Sequence, residues 1–237
     1  MRIPNFLCAG IEVYKHEGLF HLTRSVFYSS LFFIFYKVIK QQNTFLFRDN
    51  KYHYFYSFVN KTWMNERCVE IPIVMEVVKR YHGKRILEVG NVLSNYFRFE
   101  HDIVDKYEIK SDVINEDAVS FNSTQKYDLI ISISTLEHIG LDEELKDDMK
   151  IPRTIDNLKG LVNPNGGMII VTLPLGYNPA LDKLLKNEKI KFTMSHYLIR
   201  ISKGNEWKEA SWEDVQCVKY GSPFPAANGL VIGIIRT

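Results

Sequence analysis

Two short runs carry most of the residues able to do chemistry. In the first, Arg85-Ile86-Leu87-Glu88-Val89-Gly90-Asn91, a carboxylate stands two positions before a glycine at the end of an apolar stretch. The second, Ser132-Ile133-Ser134-Thr135-Leu136-Glu137-His138, sets an acid and an imidazole directly after another apolar stretch. Both stretches suit interior strands of a parallel sheet, and the polar residues that follow fall on the rim where open α/β sheets bind ligands. Imidazole changes protonation near neutral pH, so His138 is suited to take a proton from an attacking hydroxyl; shaping a pocket by packing is the other role for it and for Glu137. Between the two runs, His101-Asp102-Ile103-Val104-Asp105 reads as a second strand ending in a carboxylate. A carboxylate there can accept hydrogen bonds from both vicinal hydroxyls of a ribose. Glu108 competes with Asp105 if that strand runs longer. A short strand and polar turn follow at Asp112-Val113-Ile114-Asn115-Glu116-Asp117-Ala118.

Taken in order, Glu88-Val89-Gly90-Asn91, Val104-Asp105, Asn115-Glu116-Asp117 and Ser134-Thr135-Leu136-Glu137-His138 resemble the motifs of class I S-adenosylmethionine-dependent methyltransferases. The likeness runs over residues 84–175 and is similar to a poorly characterised subgroup associated with surface-glycan biosynthesis. It implies a Rossmann-like, seven-stranded, mostly parallel α/β sheet with helices on both faces. It also implies S-adenosylmethionine as cofactor, leaving as S-adenosylhomocysteine, held by Glu88, Gly90, Asn91, Asp105, Asp117, Ala118 and Ser134. Asp117 matches the position that bonds the adenine amino group, with Glu116 as its competing neighbour. The implied reaction is O-methylation of a sugar hydroxyl or carboxylate on a glycan or small-molecule precursor, with His138 and Glu137 as the catalytic candidates. A carboxylate acceptor needs no base. The sequence departs from the usual acidic-x-Gly-x-Gly-x-Gly run, since Val92 and Ser94 occupy the later glycine places. That departure keeps a catalytically inactive binding or scaffold protein as an alternative. An NAD-dependent oxidoreductase fits less well, because the glycines that let a pyrophosphate approach a helix start are missing.

The elements that must position these residues are legible around them. Apolar spacing predicts a helix from Asn65 to about Gly83, with Pro72 in its early part. Asn65, Glu66, Arg67 and Glu70 stand at its start, suited to capping or to lining a pocket, with capping favoured. Tyr127 to Ser134 is the clearest central strand. Leu141 to Lys150 is strongly charged and reads as a mobile rim segment. A helix follows over 151–162, ended by Asn163-Pro164-Asn165-Gly166-Gly167, then a strand over 168–173. Tyr177 and Asn178 leave the same rim after that strand and are candidates for acceptor binding. Strand-like stretches at 192–202, 207–212 and 229–235 fit a closing hairpin, and Trp207, Trp212 and Tyr220 are either packing residues or a sugar platform.

At 237 residues the chain has room for one domain with an appendage: residues 1–62 as an aromatic-rich helical extension and 63–237 as the methyltransferase-like domain. A net charge of +2 with interleaved signs gives no case for nucleic acid as partner. Cys8, Cys68 and Cys217 are too scattered for a disulfide framework, and no His or carboxylate spacing demands a metal, so the default is a reducing, cytoplasmic setting. Residues 22–40 could form an amphipathic helix with Phe27, Leu31, Ile34 and Phe35 on one side. Its uncharged part, Ser25 to Tyr36, is shorter than the roughly 20 residues of a spanning helix, leaving packing on the protein, a homodimer contact or peripheral membrane contact. A hairpin is expected around Asp49-Asn50.

Overall fold

The computed structural model describes residues 23–24, 26–40 and 42–237; whatever in the expectations for 1–62 and 22–40, or for Cys8, rests on residues 1–22, 25 and 41 lies outside these. Helix α1 runs through residues 26–34 and continues as one π-helical turn, Phe35–Ile39. Strands β1 (Thr44–Phe47) and β2 (Asn50–His53) form the hairpin, one residue earlier than expected. Arg48 and Asp49 make its turn with φ of 50° and 61°, the pair of positive angles a two-residue hairpin loop requires. The chain continues through a 3-10 turn (Val59–Met64), α2 (Arg67–Arg80), β3 (Ile86–Val89), β4 (Asp102–Val104), β5 (Leu129–Ile133), α3 (Lys150–Leu161), β6 (Met168–Pro174), α4 (Pro179–Lys186), β7 (Met194–Arg200), β8 (Trp207–Ala210), α5 (Trp212–Val215) and β9 (Gly229–Arg236).

Seven strands form one sheet in the order β4-β3-β5-β6-β9-β7-β8. The first four pair in parallel, β9 enters antiparallel between β6 and β7, and β8 lies antiparallel on β7. Since β7 thereby points with the first four, the sheet is mostly parallel and Rossmann-like, as expected. One strand differs. The third strand expected at Asp112 to Ile114 is a single bridge from Ile114 to Val104. Asn115 ends it there, because its Nδ2 donates to the carbonyls of Asp105 and Lys106 and turns the chain off the ladder. β8 supplies the seventh strand instead.

The sheet separates two apolar layers. Leu129, Ile131 and Ile133 of β5 enter the layer under α2, and Ile130 enters the one under α3. A strand buried on both faces has no use for polar alternation, which is why this run holds one polar residue only, Ser132, whose Oγ donates to the Val89 carbonyl at 3.2 Å. Phe45, Phe47, Tyr54, Tyr56 and Trp63 of the aromatic-rich N-terminal region share the α2 layer. Pro72 explains part of that attachment. It has no N–H to give the Cys68 carbonyl one turn back, and Phe55 N donates to that carbonyl instead, at 2.9 Å. Cys68 is buried and Cys217 exposed, and both are free thiols. Among the described residues no helix is long and apolar enough to cross a membrane.

Candidate active site

The chain leaves β3 for β4 on one side and returns to β5 on the other, so the carboxyl ends of β3 and β5 border the crevice where such sheets bind ligands. Gly90 leaves β3 at φ +84°, and a Cβ there would lie 2.6 Å from Thr135 Cγ2. The glycine therefore makes room for the residue that follows Ser134. Glu88 is fully buried: Oε1 accepts from Val92 N at 2.9 Å and Leu93 N at 2.8 Å, and Oε2 lies 2.7 Å from His101 Nε2. It holds the turn after β3, and a buried carboxylate needs such partners. Asn91 accepts from Ser94 Oγ, while its buried Nδ2 has no partner, an unmatched donor at the end of β3.

Further along the same edge, Asp105 Oδ1 accepts from Tyr107 N and Glu108 N, both at 2.8 Å. Its competitor Glu108 pairs with Lys110. Asp117 Oδ2 holds Lys150 Nζ at 2.6 Å and Lys106 Nζ at 3.0 Å, and Oδ1 accepts from Val119 N at 3.2 Å. Glu143 shares both lysines. Burial opposes the charge on Asp117 and Glu143, but the lysines overcome it and hold both carboxyls below their ordinary range. A carboxylate offers about four lone-pair sites, so one remains on Asp117 Oδ1 and two on Asp105 Oδ2. Ala118 is buried, its carbonyl accepting from Asn157 Nδ2, and Glu116 is exposed.

A cavity of about 230 Å³ opens past the carboxyl ends of β5 and β6. The start of α2 supplies Asn65, Glu66 and Arg67, the segment after β5 supplies Ser134, Glu137 and His138, and Tyr177 and Tyr220 complete the wall. Of the expected site residues it gathers Ser134, Glu137, His138 and Tyr177, and none of Glu88, Gly90, Asn91, Asp105, Asp117, Ala118 or Asn178 lines it. Asn178, expected as an acceptor ligand, does not line this cavity. It is 2% exposed and caps α4, accepting from Ala180 N and Leu181 N ahead of Pro179 at the first helical position, while its Nδ2 donates to the Glu137 carbonyl at 2.7 Å.

The floor is a charge cluster. Arg67 Nη1 meets Glu70 Oε2 at 2.7 Å, and Glu70 Oε1 accepts from Ser134 Oγ at 2.5 Å and Thr172 Oγ1 at 2.6 Å, tying α2 to β5 and β6. Burial works against the charge on Arg67, and Glu70, Glu66 and Glu137 more than offset it, so its pKa is raised. Burial first, and repulsion from Glu70 second, push the Glu66 carboxyl up. Burial pushes Glu137 well above the carboxylate range, and its Oε2 has no partner.

At the mouth, His138 Nδ1 lies 2.5 Å from Asp142 Oδ2, which also accepts from Tyr177 OH at 2.7 Å. An ionised carboxylate only accepts, so Nδ1 is the donor of this bond, and Nε2 lies 3.6 Å from Glu137 Oε1. Asp142 is held below its ordinary pKa by His138 and Tyr177, and Tyr177 is raised by burial and by Asp142. The segment expected to be a mobile rim is tied down through Asp142, Glu143 and the Asp147 N bond to the Gly140 carbonyl. Asp142 is the residue that sequence reasoning missed, and its signal was the i to i+4 spacing from His138. Among the described residues no group of three or more His, Cys, Asp or Glu could hold a metal ion.

No protein-family model matches the chain, and no curated protein does. Solved structures with a similar chain course include the N-methyltransferase NodS from Bradyrhizobium japonicum with S-adenosyl-l-homocysteine, at 11% identity and TM-score 0.43 over 69% of this chain and 84% of that one. Another is the Burkholderia thailandensis 1,6-didemethyltoxoflavin-N1-methyltransferase, at 11% identity and TM-score 0.43 over 71% of this chain and 78% of that one. The sugar N-methyltransferase KedS8 from Streptoalloteichus sp is 12% identical with TM-score 0.37, over 71% and 87%.

Proposed function

We propose that this protein is an S-adenosylmethionine-dependent methyltransferase acting on oxygen, with a sugar hydroxyl or carboxylate of a glycan or other small-molecule precursor as acceptor. The supporting observation is the His138–Asp142 pair at the mouth of a cavity beside the crevice of a Rossmann-like sheet. Residues 63–237 are then the catalytic unit and residues 1–62 an extension of it. The unmatched Asn91 Nδ2 and the remaining lone pairs of Asp105 and Asp117 fit a nucleoside laid along the ends of β3 and β4. Asp105 Oδ2 would take ribose hydroxyls and Asp117 Oδ1 an adenine amino group. When bound, the cofactor supplies an electrophilic methyl group on a sulfonium.

His138 Nε2 takes the proton of the acceptor hydroxyl as the oxygen becomes a nucleophile. Asp142 holds the required tautomer and offsets the charge the imidazole gains, and Tyr177 fixes Asp142. A binding protein without chemistry is the second reading, favoured by Thr135 filling the space over Gly90 and by the two lysines on Asp117. Calorimetry with S-adenosylmethionine, S-adenosylhomocysteine and NAD separates the readings. Binding of the first two is expected, weakened in Asp105→Ala by about 1.5–3 kcal/mol. His138→Ala should keep that affinity while transfer of labelled methyl to sugar acceptors slows by about 10²–10⁴. Binding of NAD alone, or of none, refutes the assignment.

A further inference from the structure

We infer that the outward face of α1 and its π-helical turn binds the surface of an anionic lipid bilayer, lying along the interface. Nine of the eighteen exposed large hydrophobic side chains among the described residues fall between Val26 and Ile39. Phe27, Leu31, Ile34 and Val38 recur at helical spacing and are 48–69% exposed, with Phe35 and Ile39 beside them. The opposite side is anchored. Phe33 packs on Phe58 and Trp63 with ring centroids 5.9 and 5.6 Å away, and Tyr36 packs on Tyr56 at 5.2 Å. The helix is thus apolar on the side held by the protein and on the side facing away from it, and a soluble surface rarely leaves so large a contiguous apolar patch uncovered.

Charge selects the occupant. The whole chain is nearly balanced, with 30 basic and 28 acidic residues, yet Gly18 to Arg48 contains Arg24, Lys37, Lys40 and Arg48 and no acidic residue. Lys40 faces Glu206 at 3.6 Å, whereas Arg24 and Lys37 stand exposed at the two ends of the apolar face. A second copy docked on this face would bring cations to cations with no carboxylate from the face between them. Lipid phosphates supply the missing negative charge, while Arg and Lys stems can bury and their heads reach the headgroups. The inference does not depend on methyl transfer. It places a bilayer near the cavity, because Phe58 and Trp63 flank or belong to the turn that sets Asn60 on the cavity rim.

Co-sedimentation of the full chain with vesicles tests it. Vesicles of mixed phosphatidylglycerol and phosphatidylcholine should bind the protein, and phosphatidylcholine alone should bind it at least about tenfold less, with added salt weakening the former. Phe27→Ser/Leu31→Ser should keep the wild-type melting temperature and lose about tenfold or more of the binding. Arg24→Gln/Lys37→Gln should also keep the melting temperature and lose about tenfold on anionic vesicles only. Absence of binding to either vesicle overturns the inference. So does equal binding by the Arg24→Gln/Lys37→Gln variant, or a solution dimer that Phe27→Ser/Leu31→Ser dissolves without affecting vesicles.

Discussion

Removing the Glu70 carboxylate should cost more stability than any other single change at the cavity. Its side chain is fully buried, with one oxygen accepting two hydroxyls at 2.5 and 2.6 Å and the other paired to Arg67 at 2.7 Å. Arg67 is itself only 16% exposed, so Glu70→Ala leaves a largely buried guanidinium without its bonded counter-charge and two buried hydroxyls without their acceptor. Breaking a buried pair from one side costs about 3–5 kcal/mol. Glu70→Gln keeps an acceptor for Ser134 and Thr172 but loses the charged bond and turns its NH2 towards Arg67, so at least about 1.5–3 kcal/mol is expected. Adding Arg67→Met to Glu70→Gln removes the stranded charge, and the double variant should be no less stable than Glu70→Gln alone. Equilibrium urea unfolding reads these as shifts of midpoint at constant slope. A loss below about 1 kcal/mol for Glu70→Ala would refute the reasoning, because it would mean Glu66 or Glu137 neutralises Arg67 unaided.

Two further outcomes follow from the same site. Asp142→Asn should lower methyl transfer by about tenfold to a hundredfold without changing cofactor affinity, since it removes the charge and the acceptor-only group that faces His138 Nδ1 at 2.5 Å; full turnover in a steady-state assay would detach Asp142 from the reaction. Glu137 has a folded pKa well above its unfolded value, so the folded state holds the proton more tightly and loses stability as pH rises from the unfolded value of about 4.3 upward. Glu137→Gln should therefore raise the melting temperature near pH 7 and lose that advantage towards pH 4, and a gain that grows in acid would contradict the assignment.

Interior strands were legible because burial on both faces writes itself as a mostly apolar run without alternation, as in Leu129 to Ile133 and Met168 to Leu173, each holding a single hydroxyl residue, Ser132 or Thr172. α3 was legible from the spacing of Ile151, Ile155, Leu158 and Leu161, all buried on one side. Strand pairing at Ile114 was not, because a short apolar pair followed by polar residues looks the same whether the ladder continues or an Asn side chain stops it. Within the site, His138 stood out by residue type and place. Asp142 did not, since one acid in the charged run Leu141 to Lys150 differs from its neighbours only by what it faces.

By itself the sequence determined the alternation of elements, the glycine turn after β3 and which strand ends carry acids, all set by local spacing and residue type. Tertiary structure alone decided the use of those acids. It buried Glu88 under backbone amides, gave Asp117 to Lys106 and Lys150, and joined His138 to Asp142 beside Glu137, whose Oε2 has no partner. A carboxylate's role depends on which donors reach it and how much water does, and both are properties of the folded neighbourhood.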